Sequence, residues 1–572
     1  MGALLGQIER AFIALVGFAE VSGARRSLVV ILVGLLVLLP GLVSLPVTDR
    51  DEARFAQASR QMLETGDFID IRLQEEARWK KPAGIYWLQA GSAWLYGGAE
   101  APIQAYRLPS FLGALLAAML TGWAVGPLVG RRGAVLAAIM TVTSVLVVVE
   151  GHIAKTDAML LLTIVAAQGA LVRIWQSDDR GFGRMHVLFW AAIGVGALIK
   201  GPIILLPVLG TVLWLIAFER RLGLLSALSP GRGLLLALLI AAPWYVAIAE
   251  RTGGAFFEDA LVGDLLSKVT AGAESHGAPP GYYLATIWGT FWPWAALLLL
   301  AAPFAWRERR RPEVRFLLGW IIPTWLVLAL TATKLPHYIL PVFPALAAFL
   351  SLWLIETQAG MAGWPRRLLA AAVYLVVGGA LALFAIFGPA VVEGTGSFTA
   401  ISLGGLALVL ILVGARALFS ARRIAFFGAS TLAALALYPA LFAYTLPLLD
   451  TAFLSPRMAA AHATFAECSD RPLTSVGYRE PSLVFVGGIG TELPTVEDAA
   501  ARLRDEDGWL VFFAPHRGIT LTAFEDTVAA PLQPVATVAG YNYNWGRDVV
   551  ITLLARADDP MLTACPALAQ AD

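Results

Sequence analysis

Asp49, Arg50, Asp51, Glu52 and Arg54, followed by Arg78, Lys80, Lys81 and Pro82, crowd charge into residues 48–87 of a chain that is only 15% charged. Charge kept beside a bilayer is expensive unless it has partners or a task. A carboxylate close to lysine and arginine can take a proton from an attacking group while the cations neutralise an anionic leaving group. Three further connectors carry similar residues. The first holds Glu150, His152, Lys155 and Asp157; the second holds Asp264, Lys268 and His276 ahead of Tyr282 and Tyr283; the third holds Lys334, His337 and Tyr338. A local reading competes at each place. Thr48-x-x-Asp51 resembles a capping box, Asp157 would cap a helix, and Lys80 and Lys81 would snorkel toward the headgroups.

These residues must be positioned by a membrane-embedded scaffold. The chain has 572 residues, 58% of them hydrophobic, and a mean hydropathy of +0.71. That composition belongs to a polytopic α-helical membrane protein. With a net charge of +1 and only short, scattered arginine clusters, no surface fits a phosphate backbone, so nucleic acid is excluded as a partner. Thirteen apolar runs are long enough to cross a bilayer, centred near residues 37, 116, 141, 166, 193, 210, 241, 293, 323, 346, 378, 408 and 436. Arg25 and Arg26 precede the first run, and no small-residue cleavage site follows it. Residues 28–45 therefore read as a first span behind a juxtamembrane helix rather than as a removed signal. Lys200-Gly201-Pro202 reads as a tight turn between two short spans.

Every second connector is rich in arginine, from Arg131 and Arg132 through Arg307–Arg311 to Arg422 and Arg423, which marks those loops as cytoplasmic. The alternate connectors face outward, and all six lysines of the chain, Lys80, Lys81, Lys155, Lys200, Lys268 and Lys334, lie in them. Compact cations gathered on one face suit an anion such as a phosphate. In the first loop, Arg50, Arg54, Gln57, Gln61 and Glu64 alternate with Phe55, Ala58, Met62 and Leu63 at helical spacing, which predicts an amphipathic helix on the membrane surface, ended by Gly66.

The expected organisation is a transmembrane domain over 1–449 and a periplasmic α/β domain over 450–572. The first outer loop covers about 47–106 and the fourth about 250–281. Strands are expected near 473–477, 509–513, 535–538 and 549–554, and helices near 480–486 and 496–504. Asn542 and Asn544, the only asparagines, sit in a sequence that reads as a hairpin turn. Cys468 and Cys565 would pair if this part is exported, or remain two buried thiols. Neither cysteine nor histidine shows zinc spacing, and residues 194–201 lack the Ser or Thr of a phosphate loop.

Asp51-Glu52-x-Arg54-Phe55, Lys81-Pro82 followed by Tyr86-Trp87, Lys200-Gly201-Pro202 and the run from Lys334-Leu335-Pro336-His337-Tyr338 to Pro341 together resemble the aminoarabinose transferase branch of the GT-C membrane glycosyltransferases, related to the protein O-mannosyltransferases. The resemblance covers the whole chain. It implies transfer of a sugar from a polyprenyl-phosphate carrier to an envelope acceptor, lipid A or another glycolipid or glycan, on the outer side of the bacterial inner membrane. A protein acceptor for the same donor is the alternative, and a flippase of lipid-linked anions is the alternative from another class. By resemblance, Asp51 and Asp157 are the catalytic acids, while Arg54, Lys81, Lys268 and Tyr338 hold the carrier phosphate. Glu52, Lys80, Lys155, Asp264, His276, Tyr282, Tyr283, Lys334 and His337 stand in support. An organic cofactor is not expected, and a divalent metal is left open. The family's metal-binding glutamate before the first-loop lysine is Lys80 here, so any divalent metal would draw on Asp264 or His276.

Overall fold

The computed structural model describes residues 2–177, 181–220, 222–260, 263, 277–356, 363–516 and 518–565. It opens with α1 (Gly2–Glu20) and α2 (Gly23–Leu38), then the first loop, which contains α3 (Asp51–Thr65), a short hairpin of β1 (Arg72–Leu73) and β2 (Glu76–Ala77), and α4 (Gly84–Leu95). α5 (Ile103–Val142) turns back on itself at Gly130, so that Gly122 faces Ala134. α6 (Val145–His152), α7 (Asp157–Gln176), α8 (Arg184–Lys200) and α9 (Leu205–Glu219) follow, and further apolar helices run to Pro439.

Among the described residues, ten helices are long and apolar enough to cross a membrane. The count differs from the thirteen apolar runs for three reasons. Two of the ten, Ile103–Val142 and Arg184–Glu219, each contain two runs joined by a sharp turn, and Gly2–Glu20 is a helix the runs did not include. The runs near 37 and 293 form shorter helices, Gly23–Leu38 for the first and Tyr282–Thr290 with Ala295–Glu308 for the second. The chain is a multi-span membrane protein. α1 pairs its Glu20 with Arg132 at 2.9 Å and its Glu9 with Arg422 at 3.3 Å, which fastens it to the arginine-rich face.

Two glycines fix how the helices meet around Lys200. Gly201 has φ +69° and ψ −150°, a conformation closed to side chains with a Cβ, and it stops α8 so that Lys200 ends the helix. A Cβ on Gly84 would come within 2.7 Å of the Leu198 carbonyl, so α4 rests directly on α8.

The sequence reading of α3 as a surface helix is corrected here. Glu52, Ala53 and every residue from Phe55 to Met62 are buried, with α4 and α5 on one side and the helix Pro481–Gly487 of the C-terminal part on another. Of the polar positions read as solvent-facing, Gln61 exchanges two bonds with the Gln74 backbone, both at 2.8 Å, and Glu64 accepts from Arg60 at 2.9 Å, while Arg60 also donates to the Phe485 carbonyl at 2.9 Å. Helical periodicity cannot distinguish a face turned to water from one covered by a distant segment.

The C-terminal part is a four-stranded sheet in the order β3 (Thr474–Val476), β4 (Val511–Phe513), β6 (Arg547–Arg556), β5 (Leu532–Asn542), with β3 and β4 parallel and the remaining pairs antiparallel. Side chains alternate across it: Phe512, Ile551 and Leu553 pack toward one core, and Val511, Phe513 and Leu554 toward the other. The strands and the helices Pro481–Gly487 and Val496–Asp505 fall where the alternation placed them; Leu454–Ala463 and Leu521–Val528 are additional helices. Asn542 and Asn544 do sit at the β5–β6 turn, and Cys468 is bonded to Cys565.

Candidate active site

The entry to α3 sets the first part of the site. Arg50 occupies the position before the helix with φ 63° and ψ −112° and contributes no side-chain cap. A non-glycine residue held there stores on the order of 1–3 kcal/mol of backbone strain. The capping box suggested by Thr48-x-x-Asp51 does not form. Thr48 donates its backbone N–H and its hydroxyl to Glu52 Oε2, at 2.8 and 2.9 Å, so Asp51 is free of capping and lines a chamber.

Glu52 is fully enclosed and serves as a fastening point. Arg107 grips both of its oxygens, at 2.7 and 2.9 Å, and the Ala154 N–H adds a bond at 3.0 Å. The remaining donors of Arg107 go to the carbonyls of Leu42, Leu45 and Pro46. One buried ion pair therefore joins the segment between α2 and α3, the start of α3, α5 and the connector before α7, and every donor and acceptor in it is used.

The connector between α6 and α7 supplies the second part. Lys155 Nζ lies 3.0 Å from Glu150 Oε1 and 3.7 Å from Asp157 Oδ2, and Lys200 Nζ lies 2.6 Å from Asp157 Oδ1. The Lys200 ammonium also stands 5.6 Å from the centre of the Tyr338 ring. Asp157 is thus shared by two lysines, Lys155 buried and Lys200 largely so.

These groups surround two adjoining chambers. One, of about 450 Å³, has mostly apolar walls, including Leu160, Ile193, Tyr245, Phe256, Phe257 and Leu328. The other, of about 340 Å³, is polar and lined by Asp49, Arg50, Asp51, Arg54, Arg78 and Lys155 among others. Their common wall consists of Lys80, Lys81, Asp157, Lys200, Thr333, His337 and Tyr338. A molecule with a hydrocarbon tail and an anionic head would place the charge at that wall.

Two carboxylates of the first loop are driven in opposite directions. Burial pushes Asp51 up, but Lys155, His337, Arg78 and Arg54 outweigh it and hold the carboxyl below its usual range, so it is ionised at neutral pH. Asp49 is pushed up to about 7 by burial, helped by nearby Glu480 and opposed by its bonds from Ser482 and by Arg54.

Of the residues singled out in the sequence, Asp51, Glu52, Arg54, Lys80, Lys81, Lys155, Asp157, His337 and Tyr338 converge on the polar chamber. Lys334 does not line either chamber. It is 4% exposed and donates to the carbonyls of Ala278, at 2.7 Å, and Thr331. Tyr282 and Tyr283 stack edge to face, 5.2 Å apart, and also lie outside both linings. Asp264, Lys268 and His276 fall outside the described residues. Lys200, read from sequence as part of a turn, is a central cation of the site, and its place among six outward lysines was the signal for it. Arg107 left no such signal, because a single arginine at a loop end is ordinary. Among the described residues no three His, Cys, Asp or Glu side chains are grouped to hold a metal ion.

The helical scaffold is that of a GT-C membrane glycosyltransferase. The fold matches the crystal structure of ArnT from Cupriavidus metallidurans bound to undecaprenyl phosphate, with TM-score 0.71 and 19% identity, over 92% of this chain and 97% of that one. Residues 80–246 match the family model described as dolichyl-phosphate-mannose-protein mannosyltransferase. The undecaprenyl phosphate-alpha-4-amino-4-deoxy-L-arabinose arabinosyl transferase of Edwardsiella ictaluri is 31% identical over 379 residues, 65% of this chain and 67% of that protein. Its counterpart in Pectobacterium atrosepticum is 34% identical over 338 residues, 58% of this chain and 59% of the relative. The chain belongs to this aminoarabinose arabinosyl transferase family of membrane glycosyltransferases.

Proposed function

We propose that the protein transfers a sugar, of the aminoarabinose class or close to it, from undecaprenyl phosphate to a lipid-anchored envelope acceptor at the periplasmic face of the inner membrane. The observation that carries this reading is the lysine-lined wall shared by an apolar and a polar chamber. The carrier's hydrocarbon lies in the apolar chamber, its phosphate meets Lys81 and Lys200 at the wall, and the sugar enters the polar chamber. In the reaction the bond from the anomeric carbon to the carrier phosphate oxygen breaks, and an acceptor oxygen bonds to that carbon. Charge that develops on the departing phosphate is met by fixed ammonium groups in a partly dry site, where they act more strongly than in water. Arg54 supplies a further cation from the polar side. Where the acceptor is a hydroxyl, Asp51 takes its proton; where it is a phosphate, no base is needed and Asp51 orients it. Asp157 works by holding Lys155 and Lys200 in place, and Tyr338 by facing Lys200.

The outward orientation draws support from two sides. The arginine-rich connectors lie opposite the site, and the Cys468–Cys565 disulfide belongs in an oxidising compartment.

The test is transfer from labelled undecaprenyl-phosphate sugar to extracted envelope lipids and proteins by the purified protein in liposomes. For a hydroxyl acceptor, Asp51→Asn is expected to lower turnover by about 10²–10⁴-fold, the usual contribution of a general base. Label appearing in protein instead of lipid, or equal turnover by the variant, would overturn the acceptor class or the role of Asp51 respectively.

A further inference from the structure

The C-terminal sheet touches the reactive loop at the residues immediately before Asp51. The Asp49 N–H donates to the Tyr543 hydroxyl at 2.6 Å, and the Arg50 guanidinium donates to the Asn544 carbonyl at 3.2 Å. The Asp49 carboxylate accepts from the Ser482 N–H at 3.3 Å and from the Ser482 hydroxyl. Each contact is backed from behind. The Asn542 side chain accepts the N–H groups of Asn544 and Trp545, at 2.9 and 3.0 Å, which shapes the turn, and Glu480 holds the Asn542 and Asn544 amides at 3.2 and 2.8 Å. Ser482 is itself bonded to Ser455 at 2.5 Å, and Ser455 to Tyr478 at 2.9 Å. The chain's only two asparagines thus build one turn, and that turn grips two consecutive residues of the first loop.

Those two residues have reason to be gripped. Arg50 holds a backbone conformation that an unrestrained non-glycine residue would leave, and relaxing it would rotate Asp51 and the first turn of α3 relative to the chamber. We propose that the C-terminal domain completes the active site: Ser482 and Tyr543, acting on Asp49, and the Asn544 carbonyl, acting on Arg50, are positioning groups that hold Asp51 toward the polar chamber. The proposal rests on the assignment of that chamber as the transfer site.

The experiment uses the full-length protein with two readouts. Ser482→Ala and Tyr543→Phe each remove one side of the grip. Hydrogen exchange of the amides of residues 49–54 is expected to speed up by about tenfold, with the strand amides of residues 549–555 unchanged, because a local opening is made easier without unfolding the sheet. In the transfer assay, kcat should fall by about tenfold while the donor KM stays within about twofold, since small misplacement of a reacting group affects turnover more than binding. Asp49→Asn keeps an acceptor oxygen for Ser482 and should keep the exchange of residues 49–54 as slow as in the wild type at pH 5, where the wild-type carboxyl is also uncharged. Tyr541→Phe, on the same hairpin at 43% exposure and without a hydrogen bond to the first loop among the described residues, serves as the control and should change neither readout. Unchanged exchange at 49–54 or unchanged kcat in both grip variants overturns the proposal, as does an equal loss in Tyr541→Phe. If the wild type transfers to no acceptor, the functional reading fails while the exchange experiment still decides whether the grip exists.

Discussion

Lys200 shows how a single side chain converts a turn into part of a site. Its ammonium bonds Asp157 at 2.6 Å and faces Tyr338, and it stands in the wall between the two chambers. Removing it in Lys200→Met takes one charge-assisted bond from a buried carboxylate, which costs about 1.5–3 kcal/mol. The remaining lysine, Lys155, is already shared with Glu150. The expected outcome is a lowered thermal midpoint and a donor KM raised by about tenfold, equivalent to about 1.4 kcal/mol of lost donor binding. Thermal unfolding in detergent and donor titration check the two effects separately. Asp51 differs in kind: its surroundings keep it ionised below the usual carboxylate range, so the acidic limb of any pH profile it governs should lie below about pH 4.

At the scale of elements, the buried Glu52–Arg107 pair is what lets α3 sit under the C-terminal sheet without drifting from α5. Both side chains are entirely out of solvent and every charge is matched. Breaking such a pair from one side strands a buried charge, at about 3–5 kcal/mol. Arg107→Met is therefore expected to destabilise the protein by that amount and to free the Leu42, Leu45 and Pro46 carbonyls as well. Arg107→Met combined with Glu52→Gln should recover part of the loss, because the stranded carboxylate is then gone. Denaturation of the single and double variants measures the difference.

For the whole molecule, two links govern how the sheet domain is held. The Cys468–Cys565 bond closes a 97-residue separation, for which loop-closure entropy gives a stabilisation of about 4–5 kcal/mol. Cys468→Ser with Cys565→Ser should lower the unfolding temperature of the sheet domain while leaving the helical bundle intact, as followed by exchange in the two regions. The docking at Asp49 adds a pH dependence. Its carboxyl titrates near 7 when docked and near 4 when released, so the docked form binds the proton more tightly. The contribution of Asp49 to docking is therefore fully present below pH about 4, weakens as the pH rises, and is lost above pH 7. Protection of residues 49–54 should fall between pH 5 and 8 in the wild type and stay flat in Asp49→Asn. Glu480 and Tyr478 face the same carboxylate, and Arg54 offsets them.

The sequence by itself determined the membrane class, the apolar runs, the alternation of the sheet and the gathering of lysine on one face, because composition and periodicity are local properties that survive any packing. It also pointed to Asp51, Lys81, Asp157 and Tyr338 through residue type and resemblance. The tertiary structure alone decided the rest. That α3 is buried instead of lying on a membrane depends on a helix more than four hundred residues away, which no period in α3 records. That Lys200 is a site cation while Lys334 spends its charge on backbone carbonyls depends on where two helices end: Gly201, at φ +69°, stops one at Lys200, while the helix Pro312–Leu330 ends in extended backbone at Thr331 ahead of Lys334. Glu52 and Asp51 are neighbours in sequence with similar chemistry, yet one is locked to Arg107 and the other faces the chamber, because successive residues on a helix point about 100° apart.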